Sequence, residues 1–177
     1  MAIENEKELF LGLGTNAGER EKNMTEAIER LSLRFGIPIA QSEVIESEAW
    51  GYDSPNKYLN GVILFRTSLP PPTEILNITE EIERELGRKQ KSLNGNYCDR
   101  PIDIDILFYG NECIDTPRLT IPHRLLHKRL FVLEPLAGIA PQFIHPILEK
   151  SIGQLLDELR EAQKESQEAL THCNRNS

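Results

Sequence analysis

With 177 residues, 39% of them apolar and 27% charged, the chain has the size and balance of one ordinary globular domain with its own core. A net charge of −8 argues against a dedicated nucleic-acid binder, and no run approaches about 18 consecutive apolar residues, so no membrane span is expected. The acidic start MAIENEKELF has no apolar signal region, and Cys98, Cys113 and Cys173 have no metal-ligand spacing, so free thiols and a cytoplasmic location are expected.

In chain order, ELFLGLG (Glu8 to Gly14) reads as a first strand. Met24, Ala27, Ile28, Leu31 and Phe35 then recur at helical spacing, and Gly36 and Pro38 stop that helix. Ile37 to Ser47 reads as a second strand, EAWGYDSPNK as a loop, and YLNGVILFRT (Tyr58 to Thr67) as a third strand. After three prolines, Thr73 is expected to cap a helix carrying Ile75, Ile78, Ile82 and Leu86, ended by Gly87. RKQKSLNGNYCD (Arg88 to Asp99) is polar and unpatterned and reads as a mobile basic loop. The Asp103–Asp105 strand follows, with Gly110-Asn111 expected to turn it into a short partner strand around Cys113 and Ile114. TPRLTIPHRLLHKRLF reads as a loop with a short helix, FVLEPLAGIAP as a compact buried stretch. From Ser151 a helix carries Ile152, Leu155, Leu156, Leu159 and Ala162, then fades into a polar tail. The order β-α-β-β-α-β-β-α has too many hairpins for a doubly wound sheet; it fits an α+β, ferredoxin-like fold with a mostly antiparallel sheet. Residues 1–150 would form its body, and the helix and tail of 151–177 would belong to the same domain.

Gly12, Gly14 and Ala17 match a dinucleotide-binding fingerprint, but the second strand leads to a third strand and not to a helix. A tight turn and helix start, with Asn16 accepting backbone N–H bonds, is the plainer reading. No G-x-x-x-x-G-K-[ST] run is present, so any ATP is handled without a P-loop.

DRPIDIDILFYG places Asp103 and Asp105 on one face of a strand, with Ile102, Ile104 and Ile106 on the other. A bare D-x-D is often a solvated edge. As a chemical device, the pair suits Mg²⁺, which prefers one or two carboxylates plus water and phosphate, and a pair can bridge two ions on a polyphosphate. Arg88, Lys89, Lys91 and Arg100 lead directly into the pair, so the basic loop can close over a nucleotide. RLTIPHRLLHKRLF brings Arg118, Thr120, His123 and Arg129 together as a nucleotide contact surface. Tyr58 and Asn60 share a strand face, which is either packing or a platform for a flat hydrogen-bonding heterocycle.

LGLGTNAGER, YLNGVILF, ELGR, DRPIDIDILFYGN and RLTIPHRLLHKRLFVLEPL, in this order from roughly Leu9 to Pro146, resemble the 6-hydroxymethyl-7,8-dihydropterin pyrophosphokinases of folate biosynthesis. The resemblance implies transfer of the terminal pyrophosphate of ATP to the pterin hydroxymethyl oxygen, leaving AMP. It implies two Mg²⁺ ions on Asp103 and Asp105, with Arg88 and Arg100 also catalytic. Tyr58 and Phe131 would face the pterin, Asn60 would bond its edge, and backbone near Ser47 and Trp50 would add contacts. Glu80, Glu83, Arg88, Arg100, Ile106, Arg118, Thr120, His123 and Arg129 would line the ATP side. A monomer acting on small molecules is implied, with neither nucleic acid nor membrane as partner.

The loop GRKQKSLNGNYCDR departs from the usual pattern: Gln90 replaces a frequent arginine, Tyr97 stands for a tryptophan, and Lys89 or Lys91 supplies the missing charge. Two other readings are a different two-metal phosphoryl enzyme, such as a small nuclease, and an inactive nucleotide- or pterin-binding module. A nuclease should carry a broad basic face. An inactive module should have lost one of Arg100, Asp103, Asp105 or His123, and all four are present.

Overall fold

Alternation along three long strands sets the architecture. The computed structural model describes residues 6–68, 70–88 and 98–175. β1 (Lys7–Thr15) is followed by α1 (Arg20–Phe35), β2 (Ala40–Gln41), β3 (Ile45–Ser47), β4 (Tyr58–Thr67), α2 (Pro72–Glu85) and β5 (Asp103–Tyr109). Then come β6 (Ile114–Asp115), β7 (Thr120–Ile121), a 3-10 turn at Leu126–Lys128, α3 (Leu130–Ile139) and α4 (Ile152–Arg175). The main sheet is antiparallel in the order β2-β4-β1-β5, with β3 also on β4. This is the α+β sheet-and-helix arrangement expected from the sequence.

Odd-numbered residues of β1 face one core. Leu9, Leu11 and Leu13, with Ile63, Phe65, Ile102, Ile104 and Ile106, pack against Met24, Ala27, Leu31 and Phe35 of α1 and Ile75 and Ile82 of α2. The opposite face buries Phe10, Val62, Leu64, Leu107 and Phe108 against Leu126, Val132, Leu133 and Leu136, and Ile152, Leu155 and Leu156. A register shift between Phe10 and Leu11 inserts Leu107 as an extra residue in β5. Such a bulge breaks strict alternation, so consecutive Leu107 and Phe108 both reach the second core. Beyond the bulge, that face carries Gly12 and Gly14 of β1 opposite Asp105 and Asp103 of β5.

Several sequence expectations need correction. Gly12 and Gly14 form no turn; both are paired within β1. Asn16 does accept a backbone N–H, but from Arg100 at 2.7 Å and not from the helix start; α1 has no side-chain cap. The second strand is two short ones, because Ser42 between them spends its hydroxyl on the Val62 N–H at 2.8 Å. Thr73 is not a cap: α2 starts at Pro72, whose missing N–H suits a first turn. β6 pairs with β7 and not with β5. The stretch around FVLEPLAGI is the helix α3, whose near-uniform apolarity and internal Pro135 hide a helical stripe. The last helix does not fade at Ala162 but continues to Arg175.

Candidate active site

The open part of the second sheet face is built row by row. In one row Asn60, Gly14 and Asp103 lie side by side on β4, β1 and β5; in the next, Val62, Gly12 and Asp105. Residues directly opposite in antiparallel strands share a face. The glycines therefore clear a floor between an amide on one side and two carboxylates on the other.

Over that floor lies a pocket lined by Ser47, Trp50, Tyr58, Asn60, Arg129 and Phe131, with Arg100, Asp103 and Asp105 at one side. Asn60 donates through Nδ2 to Ser47 Oγ at 2.8 Å. The Arg129 guanidinium lies 4.6 Å from the Trp50 ring centre and 5.6 Å from that of Phe131, so this arginine borders the aromatic pocket and not the second cleft. The second cleft is lined by Ile104, Asp105, Ile106, Arg118, Thr120 and His123, among others. Asp105 lines both spaces.

The expected cations converge on Asp103. Arg88 Nη1 bonds Asp103 Oδ1, and Arg100 Nη1 donates to Oδ2 at 2.8 Å. Burial alone would pull the Arg100 guanidinium down, but Asp103, Tyr58 and Asp105 around it hold it above its ordinary value. Glu83 lies beneath, 1% exposed. It accepts the Ile104 N–H at 2.8 Å and pairs with Arg88 Nη1 at 2.8 Å. Glu83 thus joins α2 to β5 from below and lines neither space. Glu80 and Arg118 pair with each other at 2.9 Å.

His123 is fixed by its backbone and ring. Its N–H donates to the Leu107 carbonyl at 3.0 Å, and Nδ1 accepts the Leu125 N–H at 3.2 Å. In the neutral ring the proton is then on Nε2, which faces Asp105 Oδ2 at 3.8 Å. Tyr58 meets Tyr52 hydroxyl to hydroxyl at 2.8 Å, and burial, then Tyr52, pushes its phenol far above the usual range. It stays protonated.

Sequence reasoning overlooked four contributors. Gly12 and Gly14 were visible as even-numbered partners of Leu9, Leu11 and Leu13, had period two been carried through the glycines. Asp99 and Tyr52 had no periodic signal; their bonds to Asn16 join segments distant in the chain. The expectations placed on Lys89, Gln90, Lys91 and Tyr97 fall outside the described residues.

A family model for 7,8-dihydro-6-hydroxymethylpterin-pyrophosphokinase matches residues 10–141. A 2-amino-4-hydroxy-6-hydroxymethyldihydropteridine pyrophosphokinase of Porphyromonas gingivalis is 45% identical over 139 residues, 78% of this chain and 93% of the relative. One from Aquifex aeolicus is 41% identical over 150 residues, covering 85% and 91%. The fold is similar to that of wild-type Plasmodium falciparum HPPK-DHPS with pteroate, with a TM-score of 0.73 at 15% identity. That match covers 90% of this chain and 45% of the longer one.

Proposed function

Because the chain belongs to the 7,8-dihydro-6-hydroxymethylpterin-pyrophosphokinase family, we propose that the two spaces meeting at Asp105 hold the two substrates of that family's reaction. The protein is a pyrophosphokinase of folate biosynthesis, with ATP as co-substrate. The single observation carrying the site assignment is that Asp105 belongs to both the aromatic pocket and the polar cleft.

The pterin lies in the aromatic pocket, between Tyr58 and Phe131, with Asn60 and backbone near Ser47 and Trp50 reading its edge. ATP lies in the cleft, against Ile106, Arg118, Thr120 and His123. The hydroxymethyl oxygen attacks the β-phosphorus, the bond between that phosphorus and the α–β bridging oxygen breaks, and AMP leaves with the bridging oxygen. Positioning and charge stabilisation supply most of the rate in such a transfer. Arg100 borders the pocket and would pass from Asp103 to phosphate oxygens. Arg88, buried against Glu83 and Asp103, lines neither space and would act through Asp103. Arg129 is a further cation beside the pterin.

The donor set fits Mg²⁺. Two carboxylates on one strand face, Asp105 with 35% of its side chain exposed, match an ion that takes one or two carboxylates and fills its shell with water and phosphate. Asp103 and Asp105 would hold two such ions, which would neutralise the polyphosphate and polarise the group under attack.

The protein is further proposed to act as a cytoplasmic monomer on small molecules, without nucleic acid or membrane as partner. The net charge of −8 repels polyanions, and the exposed Cys98 and Cys113 are free thiols, as in a reducing compartment. Among the described residues, no helix is long and apolar enough to cross a membrane. Residues 1–150 and the following helix are proposed to be one domain, because Ile152, Leu155 and Leu156 complete the second core.

The test is a product assay with Mg²⁺, ATP and 6-hydroxymethyl-7,8-dihydropterin. AMP and pterin diphosphate in equal amounts are expected. Pterin-dependent ADP would mean single phosphoryl transfer and would overturn the mechanism.

A further inference from the structure

Asp99 lines neither the pocket nor the cleft, yet its carboxylate collects four side-chain donors. Ser54 Oγ, Asn16 Nδ2 and Tyr52 OH reach Oδ1 at 2.7, 2.8 and 3.1 Å, and Asn56 Nδ2 bonds Oδ2. These donors come from two places: the end of β1 and the 51–57 loop beside the aromatic pocket.

Two chains of hydrogen bonds leave this carboxylate. Tyr52 has one hydroxyl proton. Donating it to Asp99 obliges Tyr58 to donate in turn to Tyr52, at 2.8 Å. The Tyr58 hydroxyl is thereby aimed by an anion it never touches. On the other side, Asn16 spends its amide N–H on Asp99 and turns its carbonyl to the Arg100 N–H at 2.7 Å. The Arg100 carbonyl accepts the N–H groups of Asn16 and Ala17 at 3.0 and 3.1 Å. Arg100 in turn holds Asp103.

We propose that Asp99 is a positioning residue that couples the two substrate sites, by fixing Tyr58 through Tyr52 and the backbone of Arg100 through Asn16. The inference rests on the assignment of Tyr58 to the pterin and of Arg100 to the phosphates. Ordering either end of the network lowers the cost of ordering the other, so each substrate favours the binding of its partner.

The experiment measures pterin affinity by titration calorimetry, with Mg²⁺ and with or without α,β-methylene ATP, which lacks the cleavable bridge. In the wild type the nucleotide analogue should tighten pterin binding by about fivefold or more. In Asp99→Ala that factor should fall below about twofold. Asp99→Asn keeps one acceptor oxygen for Ser54, Asn16 and Tyr52, and Asn56 can turn its amide to suit, so this variant should retain most of the coupling. A residue that merely stabilised the fold would lower melting temperature and leave the factor unchanged. Should Asp99→Ala fail to fold, Tyr52→Phe decides, since it cuts the link to Tyr58 and leaves the carboxylate in place. Full coupling in folded Asp99→Ala or Tyr52→Phe, or none in the wild type, overturns the inference. AMP formation by the wild type is measured alongside; its absence would instead remove the pyrophosphokinase assignment on which the inference rests.

Discussion

Asp105 and Arg88 lie a few residues from each other in space, but they should fail in different ways. Asp105 is part-exposed, and without its carboxylate the buried Arg100 still keeps its bond to Asp103. Asp105→Ala should therefore fold with a near wild-type melting temperature while losing turnover by about a thousandfold, the scale of deleting one strong electrostatic stabiliser. An active Asp105→Ala enzyme would end the metal assignment. Arg88 is buried against Glu83, so Arg88→Ala also takes a cation from a buried acid and should cost about 3 kcal/mol in denaturant unfolding. His145 gives a third case. Its Nδ1 accepts the N–H groups of Ile147 and Leu148, and burial, then His127, holds the ring below its ordinary value of 6.5. The unfolded chain then binds a proton that the folded chain refuses. Stability is full above pH 6.5 and falls as pH drops from there to the depressed folded value. His145→Asn keeps an acceptor without the proton and should flatten that part of a melting-temperature profile against pH.

At the level of elements, the strands were legible because period two is hard to disguise. Leu9, Leu11 and Leu13, and Ile102, Ile104 and Ile106, face the core that their spacing names. Asp103 and Asp105 stood out as carboxylates in that pattern. The bulge at Leu107 did not, because an inserted apolar residue within ILFY changes no residue type. α3 was hidden for the opposite reason: a helix buried on most sides carries no stripe. The glycine floor was misread because local spacing offered a turn, while the cross-strand row that gives the glycines meaning is set by long-range pairing. That row makes a prediction. A Cβ on Gly14 would meet Asn60 Oδ1 and Tyr58 Cδ1 at 3.5 Å, which is ordinary contact. Gly14→Ala should fold. Gly14→Val adds two methyls where the pterin is placed, and should raise the pterin KM by about tenfold or more, the equivalent of about 1.4 kcal/mol. Affinity for α,β-methylene ATP should be unchanged. An unaltered pterin KM would move the heterocycle off this floor.

For the whole molecule, the sheet has two covers, and only one is complete. α1 and α2 close the first face; α3 and α4 close the second only as far as the bulge, and the uncovered remainder is the site. α4 therefore has two unequal parts. Its first turns bury Ile152, Leu155 and Leu156 with Phe10, Phe108 and Leu133. From Glu161 to His172 every residue is exposed, and among the described residues the last ion pair to the body is Arg160 with Glu134 at 3.1 Å. A chain ending at Arg160 should melt within a few degrees of the full chain and keep its activity, because it gives up solvated helix and no core. A chain ending at Lys150 loses three buried aliphatic side chains at about 1.5–3 kcal/mol each. That loss is comparable to the whole stability of a domain this size, about 5–15 kcal/mol. It also uncovers the back of Leu107 and Phe108, next to Asp105 on β5. The shorter chain should be unfolded or aggregated by circular dichroism and size exclusion. A stable, active chain ending at Lys150 would show that the second cover is dispensable and that the site is held from the α1–α2 side alone.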